Sequence, residues 1–343
     1  MKFLICGLGS IGQRHVRLLK EIDPDVEIDV YRKRKLGILI NDDLSVEHNV
    51  DLESYYDIHA LYNLEAALKN YYDAVFITNP ISFHIEYAQE IANSGHNIFI
   101  EKPLGNTLKG TNQLLKTIES KKLTSFVGYQ MRFHPALIKL RDIIKKHALG
   151  HVISADTHFG EWLPGMHDYE DYRYTHMAKN NQGGGAILAL SHEIDYAIWL
   201  FGYPKSVYAI GGHYSDLEID VEDSADIVLK VPSPIGDISV RCHVDFIQSP
   251  PERFCHIIFE YGRVKWDYFE NIIYVYNSKD KTEESFEFPD FKRNDMFSDE
   301  LNHFISCLKS GERPTVDISN GLDILRACLA ARDSLKTGKV VIV

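Results

Sequence analysis

A chain of 343 residues, 45% hydrophobic and 25% charged, has the make-up of a globular protein long enough for two cores. A net charge of −12 without any extended basic stretch argues against nucleic acid as a partner. No apolar run approaches the about 20 residues that span a bilayer. Met1 to Cys6 is too short an apolar stretch for a signal peptide, because Gly7 breaks it. The five cysteines (Cys6, Cys242, Cys255, Cys307 and Cys328) are scattered without a Cys-x-x-Cys pair, so reduced thiols and a cytoplasmic location are expected.

In chain order, Phe3 to Cys6 reads as a short strand, followed by Gly7-Leu8-Gly9-Ser10-Ile11-Gly12 and a helix that stops near Asp23-Pro24. Val26 to Tyr31 is a second strand, completing a βαβ unit. Helices are expected over Leu64–Leu68, Ile85–Ala92 and Thr111–Ser120, alternating with strands at Ala74–Ile77, Asn97–Ile100 and Ser125–Val127. That alternation predicts a doubly wound parallel sheet, a Rossmann domain, over residues 1–125. After a helix over Pro135–Lys146 the pattern changes to alternating β segments: His151–Phe159, Ser206–His213, Ser224–Val231, Ile238–Phe246, His256–Tyr261 and Arg263–Tyr268. These predict an open, mostly antiparallel sheet in an α+β second domain over 126–343, closed by helices at Met296–Leu308 and Gly321–Leu335 and a strand at Val340–Ile342. The fold class is therefore α/β followed by α+β.

The glycine loop carries the first functional signal. It follows a strand and opens a helix, the context in which Gly7 makes the turn, Gly9 admits a pyrophosphate, and Gly12 lets helix and strand pack. Nicotinamide dinucleotide sites usually place an acid at the tip of the second strand to bond a ribose hydroxyl. Here the tip reads Arg32-Lys33-Arg34, suited to a 2′-phosphate, with Asp29 inside the strand unless a shift of register brings it to the tip. The reading leans to NADP over NAD.

At Glu101-Lys102-Pro103 the sequence resembles the glucose–fructose oxidoreductase / inositol dehydrogenase / rhizopine catabolism (Gfo/Idh/MocA) family. Other matches follow in the same order: Gly7 to His15, Asn79-Pro80 with His84, Gly95-His96, Gly128-Tyr129 with Arg132-Phe133, Gly183 to Gly185 with His192 and Asp195, and Ser334 to Gly338. The resemblance covers essentially the whole chain. It implies an NAD(P)-dependent oxidoreductase with cofactor contacts at Ser10, Ile11, Thr78, Asn79, Pro80, His84, Glu101 and Lys102. It also implies Lys102 as the catalytic acid/base and His192 as a substrate-binding and acid–base residue. A lysine near the nicotinamide, its pKa lowered by burial and the cationic cofactor, is suited to accept a hydroxyl proton as hydride leaves. Read alone, Lys102 is more often a surface lysine and His192 a packed one. Ser191 is a candidate cap for the helix that His192 opens, and Asp195, one turn on, a candidate to orient His192 or to bond elsewhere. The pattern also departs from the family: the aspartate it often carries three or four residues before this histidine is replaced by Leu188 and Ala189.

The segment Gly160 to Arg173 is rich in aromatic and polar groups, and reads as a loop over the active site or as a self-packed or interface loop. Trp162 and Tyr172 offer flat faces for a sugar ring, His167 and Arg173 offer polar contacts, and Arg132 is a weaker candidate with Arg241 and His243. Arg253 reads equally as a contact of this kind or as a partner for nearby acids. His151, His167, His213, His243 and His256 are spread through the second domain with no H-x-x-x-H spacing among them, so no metal is expected, and no Gly-x-Ser-x-Gly elbow marks a serine hydrolase. The leading expectation is a dehydrogenase or reductase of a sugar-like polyol or keto-sugar. The Trp162 loop resembles a branch of the family associated with bacterial surface-sugar biosynthesis, which implies a deoxy-, amino- or nucleotide-activated sugar, or a nonulosonic acid. Two rivals stand beside it: a glycosidase or epimerase with a tightly bound recycling cofactor, and a non-catalytic dinucleotide-sensing protein. A homodimer or homotetramer is the family-level expectation.

Overall fold

The computed structural model describes residues 1–33, 35 and 37–343. The chain packs into two compact units, and it passes between them more than once. The first comprises Met1–Gly128, Asp168–Glu170 and Phe297–Leu322; the second comprises Tyr129–His167, Asp171–Met296 and Asp323–Val343.

The first unit is built on six parallel strands: β1 (Lys2–Cys6), β2 (Glu27–Tyr31), β3 (His59–Leu61), β4 (Ala74–Ile77), β5 (Ile98–Glu101) and β6 (Ser125–Gly128). Their order is β3-β2-β1-β4-β5-β6, the doubly wound arrangement in which the order of successive strands reverses beside β1. The linking helices include α1 (Ser10–Ile22), α2 (His84–Asn93) and α3 (Thr111–Lys121). Buried-strand sequences such as Ala74-Val75-Phe76-Ile77 are continuous apolar runs because both faces are covered. Register stacks the phenylalanines: Phe76 pairs with Phe99 and Phe99 with Phe126, their rings 4.8 and 5.2 Å apart. Phe304 packs against all three rings from 5.5 to 5.9 Å. Each such buried ring contributes on the order of 1.5–3 kcal/mol from area alone.

The second unit carries α4 (Pro135–Lys146), α5 (His192–Phe201) and nine strands: β7 (Val152–Gly160), β8 (Ser206–Gly212), β9 (Ser224–Ser233), β10 (Gly236–Asp245), β11 (Glu252–Phe259), β12 (Gly262–Asp267), β13 (Ile272–Asn277), β14 (Thr282–Glu287) and β15 (Val341–Ile342). Their order is β14-β13-β12-β11-β7-β10-β9-β8-β15. Only β7 and β10 run parallel; the other neighbours are antiparallel. The expected open, mostly antiparallel sheet is present. Two long helices, Arg293–Ser310 and Ile318–Thr337, complete the chain before β15. No helix among the described residues is long and apolar enough to cross a membrane.

Candidate active site

The glycine loop has the backbone the motif requires. Gly7 sits at φ +111°, and its N–H donates to the Tyr31 carbonyl at 3.0 Å, fixing the loop to β2. Gly12 packs so closely that a Cβ there would collide with the Gly7 carbonyl oxygen. Gly9, by contrast, faces open space, with nothing within 4 Å of where its Cβ would stand. No side chain among the described residues caps α1, so the amides of its first turn, at Ser10 and Ile11, are available to an anion.

The neighbouring strand ends complete this edge. Thr78 donates from Oγ1 to the Gly7 carbonyl at 2.8 Å, bracing the loop from β4. Both amide atoms of Asn79 are buried, and neither has a hydrogen-bond partner among the described residues. A buried primary amide without a partner is costly, which marks it as waiting for a ligand. Pro80 is exposed just beyond. The open space at Gly9, the uncapped helix and the orphaned amide fit a dinucleotide.

His84 does not point to a ligand: its ring lies between the carbonyls of Asn79 (2.8 Å) and Pro103 (2.9 Å), tying the β4 and β5 loops together. Burial lowers its pKa. Glu101 is likewise internal. Its carboxylate meets the fully buried His15 of α1 at 2.7 Å and accepts the Lys102 backbone N–H at 3.2 Å. Both residues correct the expectation of direct cofactor contact; they hold the turn that carries the half-buried Lys102, whose bond to Pro103 is cis.

At the tip of β2 the register question is closed. Asp29 pairs in the strand with Leu4 and His59, accepts the Tyr72 hydroxyl at 2.7 Å, and is buried. Arg32 follows the last strand residue, its guanidinium buried and 3.7 Å from Glu53. Lys33 is exposed, with Nζ 5.9 Å from the Phe83 ring centre. Arg34 lies outside the described residues. From the aromatic loop, Tyr169 reaches the glycine loop, hydrogen-bonded to Ser10 beside Arg14.

In the second unit His192 opens α5, buried, with its ring edge-on to Tyr129 at 5.6 Å. Ser191 does not cap the helix through its side chain; its hydroxyl lies 3.4 Å from that of Tyr129. Asp195 does not serve His192 either. Its carboxylate takes two bonds from Arg132, at 2.9 and 2.6 Å, so Arg132 is also removed from the substrate contacts. Arg253 pairs with Glu193 at 2.9 Å and stacks 3.6 Å from the Phe159 ring centre. Leu188 and Ala189 are buried in an apolar turn where the family's acid was sought.

On the loop, Trp162 is 40% exposed. The partly buried His167 neighbours Glu161, whose pKa burial raises. Tyr172 accepts the Glu218 N–H at 3.2 Å, and Arg173 is held by Asp171 at 2.6 Å and Glu218 at 3.0 Å. These contacts anchor the loop itself. Lys102 and the glycine loop belong to the first unit, His192 and Trp162 to the second.

Residues 1–129 match the model for the oxidoreductase family with an NAD-binding Rossmann fold, and residues 137–265 match the GFO/IDH/MocA C-terminal domain. The chain belongs to the Gfo/Idh/MocA oxidoreductase family. It is an NAD(P)-dependent oxidoreductase of the dehydrogenase/reductase class. It is 26% identical over 361 residues to myo-inositol 2-dehydrogenase of Thermotoga maritima, covering 99% of this chain and 98% of that one. It is 24% identical over 277 residues to D-xylose 1-dehydrogenase (NADP(+)) 2 of Haloferax volcanii, covering 78% and 80%. Its fold matches that of the WlbA dehydrogenase of Bordetella pertussis, solved with NADH and UDP-GlcNAcA, with a TM-score of 0.80, 20% identity and coverage of 100% and 98%.

Proposed function

We propose that this oxidoreductase moves a hydride between NADP and a secondary alcohol or ketone of a sugar-like substrate. The observation that carries the reading is the support of Lys102. It follows a strand of the sheet that bears the glycine loop, and its turn is fixed on one side by Glu101 and His15 and on the other by His84. A bound nicotinamide supplies hydride acceptance or donation at its C4. Lys102 takes the proton from the carbinol oxygen during oxidation and returns it during reduction. His192 hydrogen-bonds the reacting hydroxyl, and the exposed Trp162 offers an aromatic surface for the apolar side of the sugar ring.

The preference for NADP rests on the basic tip at Arg32 and Lys33 and on the withdrawal of Asp29 into the sheet. The name of the Haloferax volcanii relative carries NADP, which agrees with it. The UDP-GlcNAcA printed for the WlbA dehydrogenase supports trying nucleotide-activated amino-sugars, and with them a role in bacterial surface-sugar biosynthesis. Five buried free thiols support a cytoplasmic enzyme. Ile210, Val228, Ile258 and Tyr274, exposed on the outward side of the nine-stranded sheet, support a homodimer or homotetramer, to be read by light scattering.

The test is a panel of polyols, aldoses and UDP-activated amino-sugars, followed at 340 nm with NADP(H) and NAD(H). Turnover faster with NADP(H) is expected, and absence of any absorbance change across the panel overturns the reading. The buried apolar pair at Leu188 and Ala189 favours one second reading, transient oxidation with a retained cofactor. It predicts cofactor that co-purifies and turnover without net redox change.

A further inference from the structure

Lack of a sequence spacing does not decide whether histidines meet in space. His158 of β7 and His243 of β10 are register partners in the only parallel pair of the second sheet, and their rings stack at 4.7 Å with a 13° interplanar angle. Asp245, two residues further along β10, presents a buried carboxylate to the same point. One ring nitrogen of each histidine and a carboxylate oxygen of Asp245 all lie within 4.8 Å of one another. Gly160 leaves the space beside them clear: a Cβ there would collide with both Asp245 Oδ2 and Gln248 Oε1.

From these four side chains we infer a site for a divalent transition metal, taking His158, His243 and Asp245 as ligands with the Gln248 carbonyl oxygen beside them. The donor types, two imidazoles and a carboxylate, are those that zinc and its neighbours select over magnesium or calcium. The surroundings are arranged as an outer shell. His243 Nδ1 lies 2.8 Å from Asp226, leaving Nε2 directed at Asp245 at 2.9 Å. A carboxylate on the far nitrogen fixes the tautomer of a ligating histidine and raises its basicity. Asp245 is itself oriented by the backbone N–H groups of Ile247 and Gln248, both at 2.8 Å. On the other ring, His158 Nε2 lies 2.9 Å from Gln248 Oε1 and 3.9 Å from Glu252. The nearby acids outnumber the cations, as a dication requires. Binding draws the stacked rings together at their nitrogens, since zinc–imidazole bonds are about 2.0–2.1 Å.

The site stands at the root of the Trp162 loop. Asp245 ends β10, its carbonyl accepts the Glu161 N–H at 3.2 Å, and the next carbonyl, of Phe246, accepts the Leu163 N–H at 2.9 Å. A metal here cross-links β7, from which that loop departs, to its neighbour β10.

The test uses the full chain, stripped with a chelator and titrated with Zn²⁺ by calorimetry, with bound metal counted by mass spectrometry. One equivalent per chain is expected, weakened about tenfold or more by His158→Gln or His243→Gln. His213→Gln, outside the cluster, leaves binding unchanged. X-ray absorption of the zinc-loaded wild-type chain is expected to show two imidazole ligands, a readout that does not depend on any variant folding. Substoichiometric binding overturns the inference. So does a His158→Gln/His243→Gln chain that keeps the wild-type affinity with its circular dichroism intact, or a spectrum with fewer than two imidazoles.

Discussion

Arg132 holds Asp195 by two nitrogens on one carboxylate oxygen, Nε at 2.9 Å and Nη2 at 2.6 Å, in a pair that is almost wholly removed from solvent. Burial pushes the Asp195 carboxyl up and the guanidinium opposes it. Arg132→Met is therefore expected to cost about 3–5 kcal/mol, because it strands a buried acid. Arg132→Met/Asp195→Leu together should cost less than the single change. Urea unfolding of the wild type, of Arg132→Met and Asp195→Leu singly, and of the double variant checks this, and a double variant as unstable as the sum of its parts would sink the assignment.

Lys102→Met removes the proposed proton carrier without touching the supports of its turn. The expected result is a kcat lower by roughly 10²–10⁴ with cofactor affinity essentially unchanged. Steady-state rates at 340 nm and fluorescence titration with NADPH report the two separately. A loss confined to KM would assign Lys102 to binding alone.

The two inner glycines of the loop should part company. Gly9→Ala adds a methyl group to open space, so the apo chain should melt within a few degrees of wild type while NADPH binding weakens about tenfold or more. Gly12→Ala meets the Gly7 carbonyl oxygen and should destabilise the apo chain itself. Scanning calorimetry without cofactor, then with it, distinguishes them.

Lys33 is an exposed cation at the tip of β2. Lys33→Ala is expected to lower kcat/KM for NADPH by roughly tenfold and leave that for NADH unchanged. Equal losses with both cofactors would detach Lys33 from the 2′-phosphate.

His134 predicts a pH dependence. It caps α4 by accepting the Ala136 N–H at 3.1 Å, and lies among the rings of Trp266, Tyr268 and Phe291. Burial, and then the Arg253 charge, lower its pKa from 6.5 to about 3. Between those values the unfolded chain binds a proton that the folded chain refuses, so stability falls as the pH drops, by about 1.4 kcal/mol per unit. Above the upper value the group contributes nothing. His134→Asn keeps a capping acceptor and loses the titration. Its stability should therefore fall by about 1.3 kcal/mol less than that of wild type between pH 7 and pH 5.5, in urea titrations at the two values. Equal losses would remove His134 from the account.

The strands and helices were most legible where both faces are buried. Ala74–Ile77 and Pro135–Lys146 stand where the sequence reading put them, because continuous apolar runs and a proline at the first helical turn leave little choice. Thr282–Glu287 was not legible: an edge strand reading Thr-Glu-Glu-Ser-Phe-Glu, mostly exposed, has no alternation to reveal. In the site, the glycine loop announces itself because its constraints are local. The partner of Arg132 does not, because Asp195 lies 63 residues further along the chain and only packing brings the two together. The meeting of His158 with His243 follows from one strand register, and no spacing encodes it.

On the proposed NADP preference, Arg32 and Glu53 make cofactor choice a shared property of two elements. Retargeting the enzyme to NAD by the usual device, an acid at position 32, would set a new carboxylate against Glu53, which is poised for a guanidinium at 3.7 Å. Asp29 cannot be recruited instead, since Tyr72 and the sheet already hold it. The productive swap is thus a pair, Arg32→Asp with Glu53→Gln, and a screen of single substitutions at the strand tip would pass over it.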